Sequence, residues 1–544
     1  MTPGGRWTPV FVVALLALLP SLPALQGDFV ADDFGCVRLW GEKPLRDFLV
    51  LGDISEGIWG IPLDEARPLD ALSFRLGFLI SGGDAIGHLG LALAFHVACS
   101  VLVYLVARLA GGAAPRRAAL AAGLLFAVHP VHAEAIAWVS GKVDSLATLF
   151  YLAALALYLS WRVTGRRLVF AASVAVFGLG LFVKEVLLTL PALLVACDLT
   201  LFAPGRLKDR VLRTLRGAWA YAPFAALAAL YLLGRRLAFG SFAREHRVRA
   251  GLWELLLERQ AFNVRELLLP VTGWGAAAIG LAALVALLLL LRERGTLKRL
   301  APSLVFFGVL FYAATTAPLL LTYVSSRHLY LPSAGVAIAA GLVLFPSVRA
   351  TSVRGLALLA TLAALAPGLY ERQRPWIEAG EASRRIRAEI ERVTRDLPLG
   401  ATVVLSGIPA TAGDVLVWRA ALPFALEPPF VARNLAGTLR LIESPDLYCC
   451  PAVQWWQRRA ATLSALETGD PDEHVTLHLL EWRAAAARLT RRDVLLQRGA
   501  WRARLERAGL TPSQRGPGLH DGVRLVAALA QAARSAPRVR GPQR

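Results

Sequence analysis

The chain has 544 residues, of which 56% are hydrophobic, and its mean hydropathy is +0.52. Soluble proteins of this length do not have such a composition, so the sequence predicts an integral membrane protein. The formal charge of +20 lies largely in short segments between apolar runs, which is typical of the positive-inside rule and not of a nucleic-acid-binding protein. We therefore expect a lipid bilayer around the chain and no nucleic acid as a partner.

Eleven apolar runs are candidates for transmembrane helices, each of which needs about 20 residues to cross the hydrocarbon core. They lie near residues 8–25, 86–106, 118–138, 143–160, 168–183, 185–202, 217–233, 273–291, 301–321, 331–346 and 354–369. The first run is followed directly by acidic residues, so we expect it to be an uncleaved helix and not a signal peptide.

The charges of the loops predict the orientation of these helices. With the N-terminus inside, loops such as "WRVTGRR", "PGRLKDRVLRTLR" and "RERGTLKR" are cytoplasmic, and all are basic. The short turns on the other side contain one basic residue each, Lys142, Lys184 or Arg327. This asymmetry predicts a multi-pass protein of the cell (inner) membrane. An outer loop at residues 234–272 is the exception, because it is rich in arginine.

Two outer segments are long enough to form structures of their own. Residues 26–85 form the first outer loop of a membrane module that we assign to residues 1–375. Residues 376–544 form a C-terminal tail, which the odd number of helices puts on the extracytoplasmic side. Its strand-like runs "ATVVLSGIP" and "HVTLHLLEW" alternate with helical stretches, so we expect a small α+β domain with a candidate disordered end. No 34-residue repeat is evident in it.

Ionisable residues gather on the predicted outer side in every turn. The first loop begins with "GDFVADDFGCVRLW", which contains Asp28, Asp32 and Asp33, and it later includes Arg67. The following turns add His129, His132, Glu134, Lys142, Asp144, Lys184, Glu185, Arg327 and His328. Charged groups beside a bilayer are costly, so residues of this kind are candidates for a functional site.

Each group also has a simpler interpretation. The Asp pair could cap a helix, Lys184 and Glu185 could form an interfacial pair, and Arg327 could anchor the membrane boundary. His129 and His132 share a helix face as metal ligands would, but Pro130 between them and the missing third ligand favour hydrogen-bonding roles. The outer ionisable residues have no function only if every one of these simpler interpretations is correct.

Neither a metal nor a disulfide is specified by the sequence. No ligand set is defined, so we assign no metal-binding residue, although the acidic residues leave Mg²⁺ or Mn²⁺ open as a cofactor. A disulfide between Cys36 and Cys449 or Cys450 is compatible with the predicted topology, but the pairing cannot be derived.

The residue types favour one class of reaction. The sequence has no Walker loop, no GxGxxG after a strand and no GxSxG elbow. A carboxylate pair with Arg and Lys at the lipid boundary suits glycosyl transfer. The carboxylate takes a proton from an acceptor hydroxyl, and the cations stabilise a departing phosphate. The donor would then be a sugar attached to a lipid phosphate.

Three blocks carry a resemblance to a known family: "LFAVHPVHAEAIAWVSGKVDSLATLF", "FVKEVLLTLPALLVACDL" and "SSRHLYLPSAG". They resemble the transmembrane-and-TPR O-mannosyltransferases and their bacterial relatives, and "ADDF" and "RPLDALSFRL" match in order. The resemblance implies the GT-C membrane fold and a polyprenyl-phosphate sugar donor. It also implies Asp32 or Asp33 as the general base, and we favour Asp32. Glu134 and Asp144 would orient the sugar or acceptor, and Lys184 and Arg327 would face the lipid phosphate.

We therefore interpret the chain as a membrane glycosyltransferase, with mannose as a candidate sugar and inversion as the expected stereochemistry. The acceptor stays open between protein and glycan, because no TPR array is evident and Lys142 stands where animal relatives typically have Arg. Arg235 and Arg236 in the arginine-rich loop are candidates for a lid over the donor phosphate. A transporter or flippase for a lipid-linked or anionic solute is the main alternative, and an inactive scaffold is another.

Overall fold

Helices follow the apolar runs of the sequence throughout the membrane module. The computed structural model describes residues 7–49, 67–110, 116–202, 205–242, 251–321, 323–347, 352–418, 421–443, 469–500 and 503. Within these ranges nine helices are long and apolar enough to cross a membrane. They are Thr8–Gln26, Ile86–Ala110, Lys142–Thr164, Glu185–Phe202, Ala222–Phe239, Gly273–Arg292, Gly295–Leu319, Ser326–Leu344 and Ser352–Thr394.

Two further apolar runs form helices that depart from a straight span. The run near 118–138 forms the helices Arg116–Ala127 and Pro130–Ala137, which are bent by 48° relative to each other. His129 at the bend has extended backbone angles (φ −71°, ψ 125°), as expected for a residue before proline. The run near 168–183 forms the shorter helix Arg167–Gly180. The prediction of a polytopic helical membrane protein is therefore confirmed.

Shorter helices lie between these spans and in the tail. They are Asp33–Trp40, Pro68–Ser81, Leu207–Arg216, Leu252–Leu268, Leu422–Ala425 and Leu435–Thr438. We call the end of the helix bundle at which Thr8–Gln26 ends and Lys142–Thr164 begins the site end. The other end, where Lys142–Thr164 ends, is called the opposite end.

The tail adds a small sheet to the site end. Its strands are β1 (Thr402–Ser406), β2 (Thr411–Ala412), β3 (Val415–Leu416), β4 (Arg440–Glu443), β5 (His474–Arg483) and β6 (Arg488–Gln497). The sheet order is β4-β1-β5-β6, in which β1 is parallel to β4 and β5, whereas β6 is antiparallel to β5. The run "TVVL" of β1 is buried, as parallel strands in the middle of a sheet usually are. The expected strand content of the tail is therefore present.

The long helix Ser352–Thr394 joins the membrane module to this sheet without interruption. The domain boundary that we predicted between residues 375 and 376 lies inside it. One hydrophobic core contains Phe34 and Phe74 of the first loop together with Ile386 of the helix and Leu405 and Leu480 of the sheet. The first loop and the tail thus share a core, so neither is an independent appendage of the membrane helices.

Some predictions fall on residues outside the described ranges. These residues are 50–66 of the first outer loop, 243–250 of the arginine-rich loop, and Cys449, Cys450 and the predicted disordered end in the tail. Cys36 is described: its thiol is free and buried in the core that the first loop shares with the tail.

Candidate active site

The first loop begins with an acidic turn, residues 27–33, directly after the first membrane helix. Asp28 in this turn is buried and accepts hydrogen bonds from Nε of Arg384 (2.8 Å) and from Nη2 of Arg387 (2.7 Å). Both arginines belong to the long helix that leads into the tail. The charge of Asp28 is therefore compensated by the tail and not by the membrane module.

Asp33 is fully buried and connects the acidic turn to the next predicted block. One carboxylate oxygen accepts hydrogen bonds from the backbone N–H (2.8 Å) and the hydroxyl (2.5 Å) of Ser140, and the other accepts from the N–H of Val30 (3.0 Å). Burial raises the pKa of Asp33 to about 7, although the hydrogen bonds from Ser140 and Val30 oppose the shift. The side chain of the neighbouring Asp32 is less enclosed, since 9% of the residue is exposed.

Seven charged side chains form an ion-pair cluster at the site end. Its carboxylates and cations are Glu134, Asp144, Glu185, Arg67, Lys184, Arg235 and Arg327. The sequence predicted all seven as substrate-binding residues, and the structure brings them together from separate segments of the chain. Lys184 and Glu185 are neighbours in sequence and connect the two halves of the cluster.

Arg327 is the centre of one half. Its Nη1 lies 2.8 Å from Oδ2 of Asp144, and its Nε lies 3.3 Å from Oε1 of Glu134. Lys184 donates a hydrogen bond to the other oxygen of Asp144. The guanidinium carbon of Arg327 also lies 5.0 Å from the ring centroid of Trp138, within the range of a cation–π interaction. Burial lowers the pKa of Lys184, and the charge of Asp144 partly offsets this effect.

Glu185 is the centre of the other half. It accepts a hydrogen bond from Nη2 of Arg67 at 2.8 Å and lies 3.4 Å from Nη1 of Arg235. The Arg235 side chain is only 2% exposed, and this carboxylate compensates part of its charge. The predicted first-loop residue Arg67 and the predicted lid residue Arg235 thus meet at one carboxylate.

The ion-pair cluster contains more positive than negative charge. Among the described residues, four cations share these three carboxylates, which is one cation more than the number of carboxylates. Buried charges are stable only where they are paired or bound to a ligand of opposite sign. An anion is therefore the type of ligand that this arrangement favours.

An apolar groove adjoins the cluster at Arg235. It lies between the helices Arg167–Gly180 and Ala222–Phe239 and has a volume of about 280 Å³. Its lining includes Gly178, Leu181, Phe182, Leu227, Leu230, Tyr231, Gly234, Arg235, Ala238 and Phe239. Arg235 belongs both to this lining and to the ion-pair cluster. The lining of the groove is therefore apolar except where Arg235 connects it to the cluster.

The two predicted histidines are buried among protein partners. Nε2 of His129 lies 3.0 Å from the carbonyl oxygen of Leu267, and Nε2 of His132 lies 2.8 Å from the hydroxyl of Ser333. These contacts connect the bent helix pair to other segments, as the hydrogen-bonding interpretation expects. Among the described residues, no group of three or more His, Cys, Asp or Glu side chains is arranged to hold a metal ion.

Three other predicted residues are not members of the ion-pair cluster. The Lys142 side chain is fully buried, with its ammonium 3.0 Å from the ring centroid of Phe74. Arg236 is exposed and donates a hydrogen bond to the carbonyl of Gly240. His328 packs against the ring of Tyr323, with centroids 5.0 Å apart. The structure therefore leaves Lys142 and Arg236 outside the ion-pair cluster, whereas His328 lies beside its members Lys184 and Asp144.

Sequence reasoning missed several residues that complete this region. Oγ of Ser325 donates to Glu134 (2.7 Å), and Trp138 packs against Arg327. Both residues lie within blocks that we had quoted for their resemblance, so the signal was present. Arg387, which pairs with Asp28, lies in an Arg-rich helical stretch of the tail that offers no comparable signal.

Comparison with known proteins supports the predicted resemblance. No protein-family model matches the chain. Tmtc2 of Drosophila melanogaster, a protein O-mannosyl-transferase, is 32% identical over 295 residues, covering 48% of this chain and 30% of Tmtc2. Tmtc1 of the same organism is 37% identical over 157 residues, covering 27% of this chain and 17% of Tmtc1. TMTC4 of Mus musculus is 37% identical over 161 residues, covering 26% of this chain and 21% of TMTC4.

The chain resembles the TMTC O-mannosyltransferases. The alignments span less than a third of the length of these three relatives. The similarity therefore concerns a part of each relative, and it does not by itself transfer their activity to this chain.

Among solved structures, apo ArnT from Cupriavidus metallidurans aligns with a TM-score of 0.50 at 15% identity. The alignment covers 88% of this chain and 93% of ArnT. The chain has the GT-C fold. At this level of identity the likeness concerns the fold alone, so the functional argument depends on the residues of the site.

Proposed function

We propose that this chain is a membrane glycosyltransferase that moves a sugar from a polyprenyl-phosphate donor to a hydroxyl group of an acceptor. The observation that carries the proposal is the meeting, at the site end, of an acidic turn, an ion-pair cluster with excess positive charge, and an apolar groove. Ser140 connects the first two, because it binds Asp33 and lies between Glu134 and Asp144 in the chain.

The groove and the cluster together fit the two ends of a lipid phosphate. The polyprenyl chain would lie in the apolar groove between Arg167–Gly180 and Ala222–Phe239. Its phosphate would lie against Arg235 and Lys184, where the excess positive charge and the N–H donors of the cluster compensate it. In this arrangement Arg235 acts at the phosphate, as the lid hypothesis expects, whereas Arg236 does not.

The proposed reaction is a single displacement at the anomeric carbon. The acceptor oxygen forms a bond to that carbon while the bond from the carbon to the phosphate oxygen breaks. The proton of the acceptor hydroxyl moves to the carboxylate of Asp32, and the lipid phosphate leaves as an anion stabilised by the cations. One displacement inverts the anomeric configuration.

Asp32 is the better candidate for the base among the three acidic residues of the turn. Asp32 is the most exposed of the three, at 9% against 7% for Asp28 and 0% for Asp33, and the family resemblance implies Asp32 or Asp33 as the base. Asp33 then serves to fix the turn against Ser140. Glu134 and Asp144 would orient the sugar or the acceptor from the opposite wall.

The relatives suggest the sugar and a class of acceptor. Their names describe transfer of mannose to the hydroxyl oxygen of a protein, so mannose and protein Ser or Thr are the first candidates here, with a glycan as the second acceptor class. The loop charges support a site on the extracytoplasmic face of the cell membrane.

The test uses membranes that contain the chain, a radiolabelled polyprenyl-phosphate mannose, and peptide or glycan acceptors. Label should move to one acceptor class, and Asp32→Asn should lower the rate by about 10²- to 10⁴-fold, the usual contribution of a general base. The matched control is Asp47→Asn, since Asp47 lies in the same loop and pairs with the neighbouring Arg46 (3.6 Å).

Two results would contradict the proposal. Label that stays on the lipid with every acceptor would exclude a transferase, and movement of intact labelled lipid across the membrane would favour the flippase alternative. An Asp32→Asn variant as active as Asp47→Asn would exclude Asp32 as the base.

A further inference from the structure

The acidic turn that contains Asp32 has a backbone conformation that its own sequence does not favour. Ala31 has a φ of +49°, in the left-handed region that residues with a β-carbon rarely adopt. Such a conformation persists only where surrounding contacts enforce it. The N–H of Ala31 donates a hydrogen bond to the carbonyl of Val417 (2.8 Å), a residue of the tail.

The long helix Ser352–Thr394 contacts the same turn from a second direction. A β-carbon on Gly380 would lie 2.4 Å from the backbone nitrogen of Asp28, so helix and turn touch without an intervening side chain. One and two helical turns further on, Arg384 and Arg387 pair with the carboxylate of Asp28. The side chain of Arg384 is 59% exposed and that of Arg387 only 7%, so Arg387 is the buried partner.

Arg387 also contacts the helix that follows the turn. Its guanidinium carbon lies 4.9 Å from the ring centroid of Phe34, two residues after Asp32. Arg387 therefore holds the acidic turn on both sides of Asp32, at Asp28 before it and at Phe34 after it.

A small apolar cluster connects these contacts to the ion-pair cluster. It contains Val30 and Ala31 of the turn, Ala379 of the long helix, Val415 of β3, and Trp138. The Trp138 ring stacks on Trp376 of the long helix, with centroids 5.2 Å apart and planes 17° apart. Because Trp138 also packs against Arg327, the long helix and the tail touch both the acidic turn and the ion-pair cluster.

We infer that the tail is a structural part of the active site, in which Arg387 and Asp28 are positioning residues that fix Asp32 relative to the ion-pair cluster. The inference rests on the proposed function, since it assumes that Asp32 acts on an acceptor in front of that cluster. It assigns the tail a role other than acceptor recognition. A displacement of the base by about 1 Å can lower a rate by about 10²-fold.

The test compares Arg387→Gln with Arg374→Gln in the full chain. Arg374 is the matched control, because it lies on the same helix, is 54% exposed and pairs with Glu371 and Glu378 of that helix. Arg387→Gln should lower kcat by about 10²-fold with the KM for the lipid donor unchanged. Arg387→Lys, which keeps the charge, should recover most of the lost rate. Arg374→Gln should behave as the unaltered chain does.

A readout that needs no catalysis separates the inference from the proposed function. Amide hydrogen exchange in residues 27–34 should be faster in Arg387→Gln than in Arg374→Gln, because the turn loses its anchor. A second variant, Ala31→Gly, is compatible with the left-handed backbone but removes the methyl group that packs in the small apolar cluster and gives the turn more backbone freedom, so it should also raise exchange and lower kcat.

Each outcome bears on one of the two hypotheses. An unaltered chain that transfers no sugar would overturn the proposed function. Transfer by the unaltered chain with unchanged exchange in both variants would overturn the inference alone. Faster exchange with unchanged kcat, or equal losses of kcat and donor affinity, would also overturn the inference, since the tail would then support folding without positioning Asp32.

Discussion

The helix Glu185–Phe202 has an ion-paired carboxylate near each end, and the two ends differ in how that charge is compensated. At the opposite end, Asp198 accepts hydrogen bonds from the hydroxyls of Tyr158 (2.8 Å) and Tyr221 (2.6 Å). Nε of Arg162 lies 3.0 Å from its other oxygen. One carboxylate thus has one cation and two hydroxyl donors, so the group is electrically balanced.

At the site end, Glu185 belongs to a cluster with a surplus of cations and an apolar groove beside it. Both carboxylates are ion-paired, so pairing alone does not distinguish a structural group from a functional one. What distinguishes the site end from the opposite end is its surplus of cations and the apolar groove beside it. The comparison therefore predicts that changes at the site end affect transfer, whereas changes at the opposite end affect stability.

The largest expected effect is that of Arg327→Gln, with Arg162→Gln as its counterpart at the opposite end. Arg327 contacts two carboxylates and belongs to the cluster whose cations would stabilise the departing phosphate, so its loss should lower the transfer rate by about 10²- to 10³-fold, as for other donors to a developing negative charge. Arg162→Gln should leave the rate per folded molecule unchanged. Initial rates with labelled donor, normalised to folded protein, provide the measurement.

Equal losses of rate in Arg327→Gln and Arg162→Gln would contradict the distinction between the two ends. Both substitutions remove a cation from a buried carboxylate, so an equal loss would mean that transfer depends on the integrity of the bundle as a whole. Thermal unfolding of both variants in detergent controls for this possibility.

The sequence predicts the membrane helices and the members of the cluster better than it predicts their contacts. Apolar runs of the required length have few alternatives to a helix in a bilayer, because every backbone polar group must be satisfied internally. Once consecutive membrane helices are assigned as antiparallel, the charged residues of every outer turn must lie on the same side of the membrane. Glu134 and Arg327, which are 193 residues apart in sequence, could therefore be expected at one site.

The contacts of the tail could not be predicted in the same way. Asp28 and Arg387 are 359 residues apart, and nothing in either local pattern indicates a partner. The pair forms because the long helix continues beyond the membrane, whereas the prediction ended the membrane module at residue 375. The same limit applies to Arg235 and Arg236, since only the rotation of their helix decides which one is buried.

The difference between Arg235 and Arg236 provides the second prediction. Arg235→Gln removes a buried cation at the end of the groove and should raise the KM for the lipid donor about tenfold or more, the usual effect of losing a charged hydrogen bond. Arg236→Gln, one residue away on the exposed side, should leave that KM unchanged. Donor titrations at saturating acceptor distinguish the two. If both variants raise KM equally, residues 234–272 attract the donor by general charge and the groove has no specific role.

The smallest expected effect lies at the opposite end, where Tyr158→Phe removes one hydroxyl donor from Asp198. The hydroxyl of Tyr221 and the guanidinium of Arg162 remain, so the carboxylate keeps most of its compensation. We expect a loss of about 1.5–3 kcal/mol in the free energy of unfolding, the range for a hydrogen bond to a charged group. The transfer rate and the donor KM should stay as they are in the unaltered chain. Thermal unfolding together with the labelled-donor assay provides the measurement, and a change in donor KM without a loss of stability would show that the opposite end also contributes to donor binding.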